Sequence, residues 1–335
     1  MSIKFSVIIP CYNTSKFINL LVNSLLKYDI KPDEIILIND CSTDNTLEVF
    51  NNLNLGEIKK VIASTLVNSG PGGARNLGVE MSTNENLLFL DADTIITPNL
   101  FEIYLSKITK YNAVVGIYNF ESLNKNFFQE IKSFYYYFML YREKDYKYSI
   151  FSSSCAGIKK SYFKKINGFD SWFGLNKVDY ENEDFGRRLS KITSIWMAPD
   201  MQVYHYFPEN IKLFKTLFLR TSHWFEDFYL IKDKQFDEAG GTKAKGLKCI
   251  LSFFILKLLF INFFFMFDLI PLTILLVLIT VSLLINWKFL TFVKKKNKSR
   301  LNFFLGLVLF DSTIVAGAFY GAIRIILKIS KFQKK

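Results

Sequence analysis

Three short apolar runs constrain the architecture of this chain. Phe5–Ile9 (FSVII), Glu34–Ile38 (EIILI) and Asn86–Leu90 (NLLFL) each stop at a polar cluster: Pro10-Cys11-Tyr12-Asn13, Asn39-Asp40-Cys41-Ser42 and Asp91-Ala92-Asp93. Apolar runs of this length bounded by turn residues predict buried strands. Between them, Ser15–Tyr28 and Thr46–Asn51 carry helical spacing, with Ser15 expected to cap the first helix and Thr43 or Asp44 the second. Lys60–Ser64 predicts another strand, and Asn68–Glu80 (NSGPGGARNLGVE) a glycine-rich turn running into a helix. Strands alternating with helices over short connections predict an α/β fold with a mostly parallel sheet. Ligands in such sheets sit beyond the carboxyl ends of the strands. Asn13, Asp40, Asp91 and Asp93 are therefore expected in one crevice.

Two carboxylates at i and i+2 behind a buried strand are costly unless paired, and a hard divalent cation relieves that cost. Asp91 and Asp93 read on their own fit such a site and fit a solvated loop equally well. The common nucleotide signatures are missing. The first strand is not followed by GxGxxG, and Gly70-Pro71-Gly72-Gly73 lacks the Lys-Ser/Thr of a phosphate-cradling loop.

Composition narrows the partners. The net charge is +12, yet the stretch from Gly241 to Lys335 holds 15 Lys plus Arg against Asp268 and Asp311, which leaves residues 1–240 at −1. Cations flanking apolar runs fit an anionic lipid surface, and no nucleic-acid partner is expected. Cys11, Cys41, Cys155 and Cys249 are scattered without CxxC pairing, which predicts a reducing compartment with neither zinc site nor disulfide framework. Phe5–Ile9 is too short for the apolar core of a signal peptide.

SVIIPCYN, EIILINDCSTDNT, NSGPGGARN and LLFLDADTIITPN, followed by INGFD and NEDFGRRL, resemble the successive motifs of family-two glycosyltransferases with the GT-A fold. The resemblance covers roughly residues 3–210. It implies an inverting hexosyl transfer from a nucleotide sugar, uridine-linked by expectation, with Mn²⁺ or Mg²⁺. Pro10, Tyr12 and Asn13 would line the donor, Asp40 would contact the base, and Arg75 would lie near the diphosphate. Asp91 would hold the ribose and Asp93 the metal. Where the family often has Asp-Asp, this chain has Asn39-Asp40. In the acidic run, Asp184 would be the general base and Glu183 an acceptor-side acid. By its residues alone the same run fits a helix start, with Asn182 as cap and Arg187 and Arg188 pairing at i+3 and i+4. His205, in a V-x-H context, would complete the metal site.

The implied organisation is a nucleotide-sugar half at 1–105, an acceptor half at 106–210, an interfacial amphipathic linker at 211–248 and a membrane region at 249–330. Ile131–Tyr141 is strongly aromatic and is expected to pack on the sheet or to face the acceptor or lipid headgroups. Ile250–Phe267, Leu269–Trp287 and Leu301–Ile326 are apolar runs near bilayer length, giving two or three spans. Lysines at 243, 245, 248 and 294–296 predict a multi-pass protein with its catalytic domain on the cytoplasmic side. Gly306, Gly317 and Gly321 fit helix packing, a homo-oligomer contact or a re-entrant path. A membrane anchor implies a lipid-linked or glycan acceptor used in cell-surface polysaccharide or glycolipid synthesis. No QxxRW is present, which disfavours a processive synthase. The non-enzymatic alternative is a nucleotide-sugar-binding membrane scaffold.

Overall fold

The computed structural model describes residues 3–230, 249–255, 257–258 and 269–334. They form two compact units: residues 1–123 with 140–206, and residues 124–139 with 207–335.

The first unit is built on one nine-stranded sheet. Its strands are β1 (Phe5–Cys11), β2 (Glu34–Asn39), β3 (Lys59–Ser64), β4 (Asn86–Leu90), β5 (Thr94–Ile96), β6 (Ala113–Tyr118), β7 (Tyr146–Tyr148), β8 (Cys155–Lys159) and β9 (Ile195–His205). The order is β3-β2-β1-β4-β8-β6-β9-β5, with β7 paired to β9. β1, β2 and β4 are buried on both faces, which is why their sequences run apolar without alternation. Helices α1 (Ile18–Leu26), α2 (Thr46–Asn52) and α3 (Gly70–Met81) connect or follow these strands. α3 lies so close to the sheet that a Cβ on Gly78 would sit 2.4 Å from Ile8. Pro10 is tolerated in a central strand because the ladder to β4 ends at the pair Ile8–Phe89.

The expected mostly parallel sheet is mixed. β1, β2, β3 and β4 are mutually parallel, as is β6 with β9, whereas β8 inserts antiparallel between β4 and β6 and β5 and β7 run antiparallel to β9. The alternation in the first ninety residues carries no information about strands added later. Ser15 does not cap α1. Its amide and hydroxyl are both donated to Asp44, so the helix starts at Ile18. Asp44 instead accepts the Thr46 amide at the start of α2.

The remaining helices of the first unit are α4 (Leu100–Lys110), α6 (Lys160–Lys165), α7 (Ser171–Leu175) and α8 (Glu181–Ser190). The second unit holds α5 (Phe127–Leu140), α9 (Asn210–Leu230), α10 (Leu269–Ile285), α11 (Trp287–Lys295) and α12 (Arg300–Ile326). The aromatic stripe of α5 finds its partners here: Phe134 on Phe303, Tyr135 and Phe138 on Phe289, Tyr137 on Phe292. The expectation that it packs on the sheet is thereby corrected. Helical spacing shows that a face is apolar, not which surface covers it.

Small residues let α12 approach its neighbours. A Cβ at Gly317 would lie 2.4 Å from the Phe218 carbonyl oxygen, one at Gly321 2.7 Å from that of Ser222, and one at Gly306 2.0 Å from Ile131. These glycines serve packing within the chain. Several buried charges in this unit are matched. Glu226 pairs with Arg324 at 3.0 Å and accepts hydroxyls of Ser222 and Ser330, and Asp311 accepts the Ser252 hydroxyl.

Among the described residues, α12 alone is long and apolar enough to cross a membrane, with 27 residues and mean hydropathy 1.8. Thr273–Ile285 and Trp287–Lys295 pass that test only together, and they are bent by 63°. Of the expected multi-pass region, the described residues thus hold one candidate span, or two if the bent pair counts as one. The expected span at Ile250–Phe267 and the lysines at 243, 245 and 248 lie wholly or largely outside the described residues.

Candidate active site

The site is assembled from turns at the carboxyl ends of β1, β2 and β4, from the start of α3, and from the end of β9. After β1, Tyr12 is exposed and Asn13 takes a left-handed φ of 54°. The Asn13 carboxamide oxygen accepts the amides of Thr43 and Asp44 at 2.8 and 3.3 Å, and its own amide donates to Ser42 Oγ. Asn13 therefore clasps the β2 turn to the β1 turn. Burial opposes ionisation of Asp44, but hydrogen bonds from Thr46 and Ser15 outweigh it and hold the carboxyl below its ordinary range.

Asp40 is buried, and one carboxylate oxygen takes three donors: Thr65 Oγ1 at 2.6 Å, and the amide and hydroxyl of Ser69, both at 2.9 Å. Its other oxygen takes no hydrogen bond from the described residues. The carboxylate is thus held in orientation with one acceptor edge left over.

The glycine-rich turn is required by close packing. Gly70 has φ 72°, and a Cβ there would lie 2.6 Å from Gly174 in α7, while a Cβ on Gly174 would lie 1.7 Å from the Ser69 carbonyl oxygen. One turn on, Arg75 is 2% exposed. Its Nη2 donates to Asp91 Oδ1 at 2.6 Å and its guanidinium stands 5.6 Å from the Phe169 ring centroid. Arg75 Nε and Nη1 are buried without a hydrogen-bond acceptor among the described residues. Buried donors of a charged group left unmatched are costly, and an anion would satisfy them.

Asp93 and His205 are brought together by strand pairing. β5 and β9 place Thr94 opposite His205, the Tyr206 amide donates to the Asp93 carbonyl, and His205 Nε2 stands 3.4 Å from Asp93 Oδ1. Asp93 is partly exposed, while His205 is buried beside Tyr118, so the pair sets one open carboxylate against one covered imidazole. That donor set suits a divalent cation that takes its remaining ligands from a substrate. Among the described residues no three His, Cys, Asp or Glu side chains are arranged for a metal. Asp91, held by Arg75, stands apart from the pair. The buried thiols of Cys11 and Cys155 are pushed up by burial, which removes them as nucleophiles.

The acidic run occupies the start of α8. Tyr180, not Asn182, is the cap; the Asn182 carboxamide oxygen accepts Ser153 Oγ at 2.6 Å. Asp184 is buried, with Oδ1 accepting Arg187 Nη2 at 2.9 Å and Oδ2 accepting Arg188 Nε at 2.8 Å. Arg188 also donates to the carbonyls of Ile166 and Gly168. Asp184, expected to accept a proton, thus has each oxygen held by an arginine and is tied through Arg188 to the 166–168 turn. Glu183 is partly buried on the same helix. Glu181, which the motif reading passed over, has Oε1 4.0 Å from Arg75 Nη1, and its side chain lies beside Gly72. Asn76 fixes the same neighbourhood by exchanging two hydrogen bonds of 2.8 Å with the backbone of Phe169.

The protein-family model for Glycosyl transferase family 2 matches residues 6–167. Over these residues the chain is similar to family-two glycosyltransferases. The matched stretch holds Asp40, Arg75, Asp91 and Asp93, while Glu181, Asp184 and His205 follow it. The chain is 35% identical over 127 residues to the poly(ribitol-phosphate) beta-N-acetylglucosaminyltransferase TarS of Staphylococcus aureus, covering 36% of this chain and 22% of that protein. It is 30% identical over 131 residues to glycosyltransferase GlyG of Streptococcus pneumoniae, covering 38% and 44%. It therefore spans less than half the length of these relatives. The solved mannosyltransferase PcManGT of Pyrobaculum calidifontis, in complex with GDP-Man and Mn²⁺, shares the fold with TM-score 0.64 at 14% identity, over 95% of this chain and 87% of that one. The glycosyltransferase domain thus sits on a mixed α/β sheet with flanking helices of the GT-A type.

Proposed function

We propose that this protein is an inverting, metal-dependent glycosyltransferase that moves a sugar from a nucleoside diphosphate sugar, a UDP-sugar first, to a membrane-associated lipid-linked or glycan acceptor. The observation that carries this reading is Arg75: a buried guanidinium beside Asp91 and Glu181, with two donors that find no hydrogen-bond acceptor among the described residues. A diphosphate is the ligand that fits it. Asp40 presents its remaining oxygen to the base or ribose. Tyr12, exposed beside the β1 turn, covers the base. Asp93 and His205 would hold Mn²⁺ or Mg²⁺, which when bound neutralises charge on the departing diphosphate. A carboxylate at the start of α8 takes the acceptor proton.

The membrane part of the reading rests on α12 and on the lysines at 294–296 and 298, which suit an anchor with the catalytic domain on the cytoplasmic side. Cell-surface polysaccharide or glycolipid synthesis is the setting in keeping with relatives such as TarS. Calorimetric titration of the detergent-purified protein with UDP- and GDP-sugars, with and without Mn²⁺, tests the donor site. Saturable binding to one donor that requires the cation supports it. No binding to any donor overturns it.

A further inference from the structure

We propose that α12 does not cross the membrane but lies along one leaflet of it, so that its two basic flanks stay on the same side. This deepens the membrane part of the reading above and rests on it. Length alone favours a span: 27 residues at 1.5 Å each make about 40 Å, more than the roughly 30 Å of a hydrocarbon core. The helices packed on α12 decide against one.

α9 runs parallel to α12. The Phe214 ring stacks on Phe310 with centroids 5.2 Å apart, a Cβ on Gly317 would meet the Phe218 carbonyl oxygen, and one on Gly321 would meet that of Ser222. Further along, the buried Glu226 pairs with Arg324 at 3.0 Å. This register places Lys215 and Arg220 of α9, both exposed, between the levels of Phe310 and Gly321. Those levels lie within about 12 Å of the midpoint of α12, inside the roughly 15 Å of half a hydrocarbon core. If α12 spanned, both cations would stand at hydrocarbon depth, with Lys215 the further from either interface, and such positions strongly disfavour Lys and Arg. α5 flanks the first part of α12, with Phe134 on Phe303 and Ile131 against Gly306, and it carries Glu130 and Lys132. Helices that carry charge thus accompany α12 over most of its length.

The open side of α12 is apolar. Leu301, Leu305, Phe319, Ile323 and Ile326 are exposed and fall within about 60° of one another around the helix. Midway, the segment of Ser252 covers Ser312 on this side, and its Ile250 and Phe254 are exposed in turn. One apolar stripe beside charged neighbours is the pattern of a helix lying in the interface plane. The flanks agree. Lys294, Lys295, Lys296 and Lys298 precede α12, and Lys328, Lys331 and Lys334 follow it. A crossing would send one basic flank to the outer side, whereas a helix in the plane keeps both against anionic headgroups.

Single cysteines in the full chain, expressed in a bacterial host, test the topology. K295C and K328C mark the two flanks and K215C marks the middle; the wild-type protein sets the background from Cys11, Cys41, Cys155 and Cys249. A membrane-impermeant maleimide is applied to intact and to permeabilised cells, and the membrane fraction is read. All three variants are expected to label above background only after permeabilisation. Labelling of one flank but not the other in intact cells overturns the proposal. So does K215C that stays unlabelled in permeabilised cells and reacts only in denaturant, since its thiol would then lie in hydrocarbon. Labelling of both flanks in intact cells keeps α12 on one leaflet and overturns the cytoplasmic placement instead. A wild-type chain recovered wholly in the soluble fraction overturns the membrane reading itself.

Discussion

Arg75 and Asp91 meet at 2.6 Å, the arginine almost fully buried and the aspartate partly open to solvent. The pair joins the glycine-rich start of α3 to the turn after β4. It leaves Nε and Nη1 without a hydrogen-bond acceptor among the described residues, with Glu181 4.0 Å from Nη1. R75Q is expected to weaken nucleoside diphosphate binding by at least about tenfold and to destabilise the fold by about 3–5 kcal/mol, the cost of stranding a buried charge. R75K is expected to recover stability in part and binding poorly, because an ammonium cannot present the guanidinium fork. Calorimetry with UDP and urea unfolding check the two effects.

Asp93 and His205 share a cation site in this account. D93N and H205A are each expected to abolish tight Mn²⁺ binding in the presence of UDP, read as free Mn²⁺ by electron paramagnetic resonance. The Tm without metal should stay close to wild type, because both side chains lie at the sheet end and Asp93 is partly exposed. Unchanged Mn²⁺ uptake in both variants would refute the site.

Gly174 admits no side chain. A Cβ would lie 1.7 Å from the Ser69 carbonyl oxygen, a backbone atom that cannot rotate away. G174A is expected to cost at least the 1–3 kcal/mol typical of overpacking and to weaken donor binding, since Ser69 also donates to Asp40. G56A is the control: Gly56 has open space around it, and its positive φ of 61° makes the cost backbone strain alone. Thermal unfolding of the two variants compares them.

The pH dependence follows from Glu34 and Asp44. Burial opposes ionisation of both, but at Glu34 hydrogen bonds from Ser6, Thr83 and Lys59, and at Asp44 those from Thr46 and Ser15, win and hold each carboxyl below its ordinary range. A carboxyl depressed in the folded state contributes stability that is present above its unfolded pKa and lost as pH falls through its folded one. The urea midpoint should therefore fall steeply below about pH 4.5, the region of unfolded carboxyls. E34Q should flatten part of that slope.

Much of this was legible in the amino-acid order. Phe5–Ile9, Glu34–Ile38 and Asn86–Leu90 announced their strands because a strand buried on both faces must be continuously apolar. The turn at Asp91-Ala92-Asp93 was legible because it stops the buried run of β4. The placement of β8 was not, since antiparallel insertion depends on a partner sixty-odd residues away. Nor was the packing of the α5 aromatics on Phe289, Phe292 and Phe303, because periodicity names a face without naming its cover. The surroundings of Glu181 and Asp184 were half visible. Arg187 and Arg188 stand at the spacing that captures Asp184, and only the fold shows Glu181 beside Arg75.

The most direct test of the central claim is nucleotide release by the full-length protein across UDP- and GDP-sugars, with Mn²⁺ and then with the cation chelated. Release from one donor, lost on chelation, is the expected result. Release that survives chelation, or no release together with no binding of any donor, would contradict it.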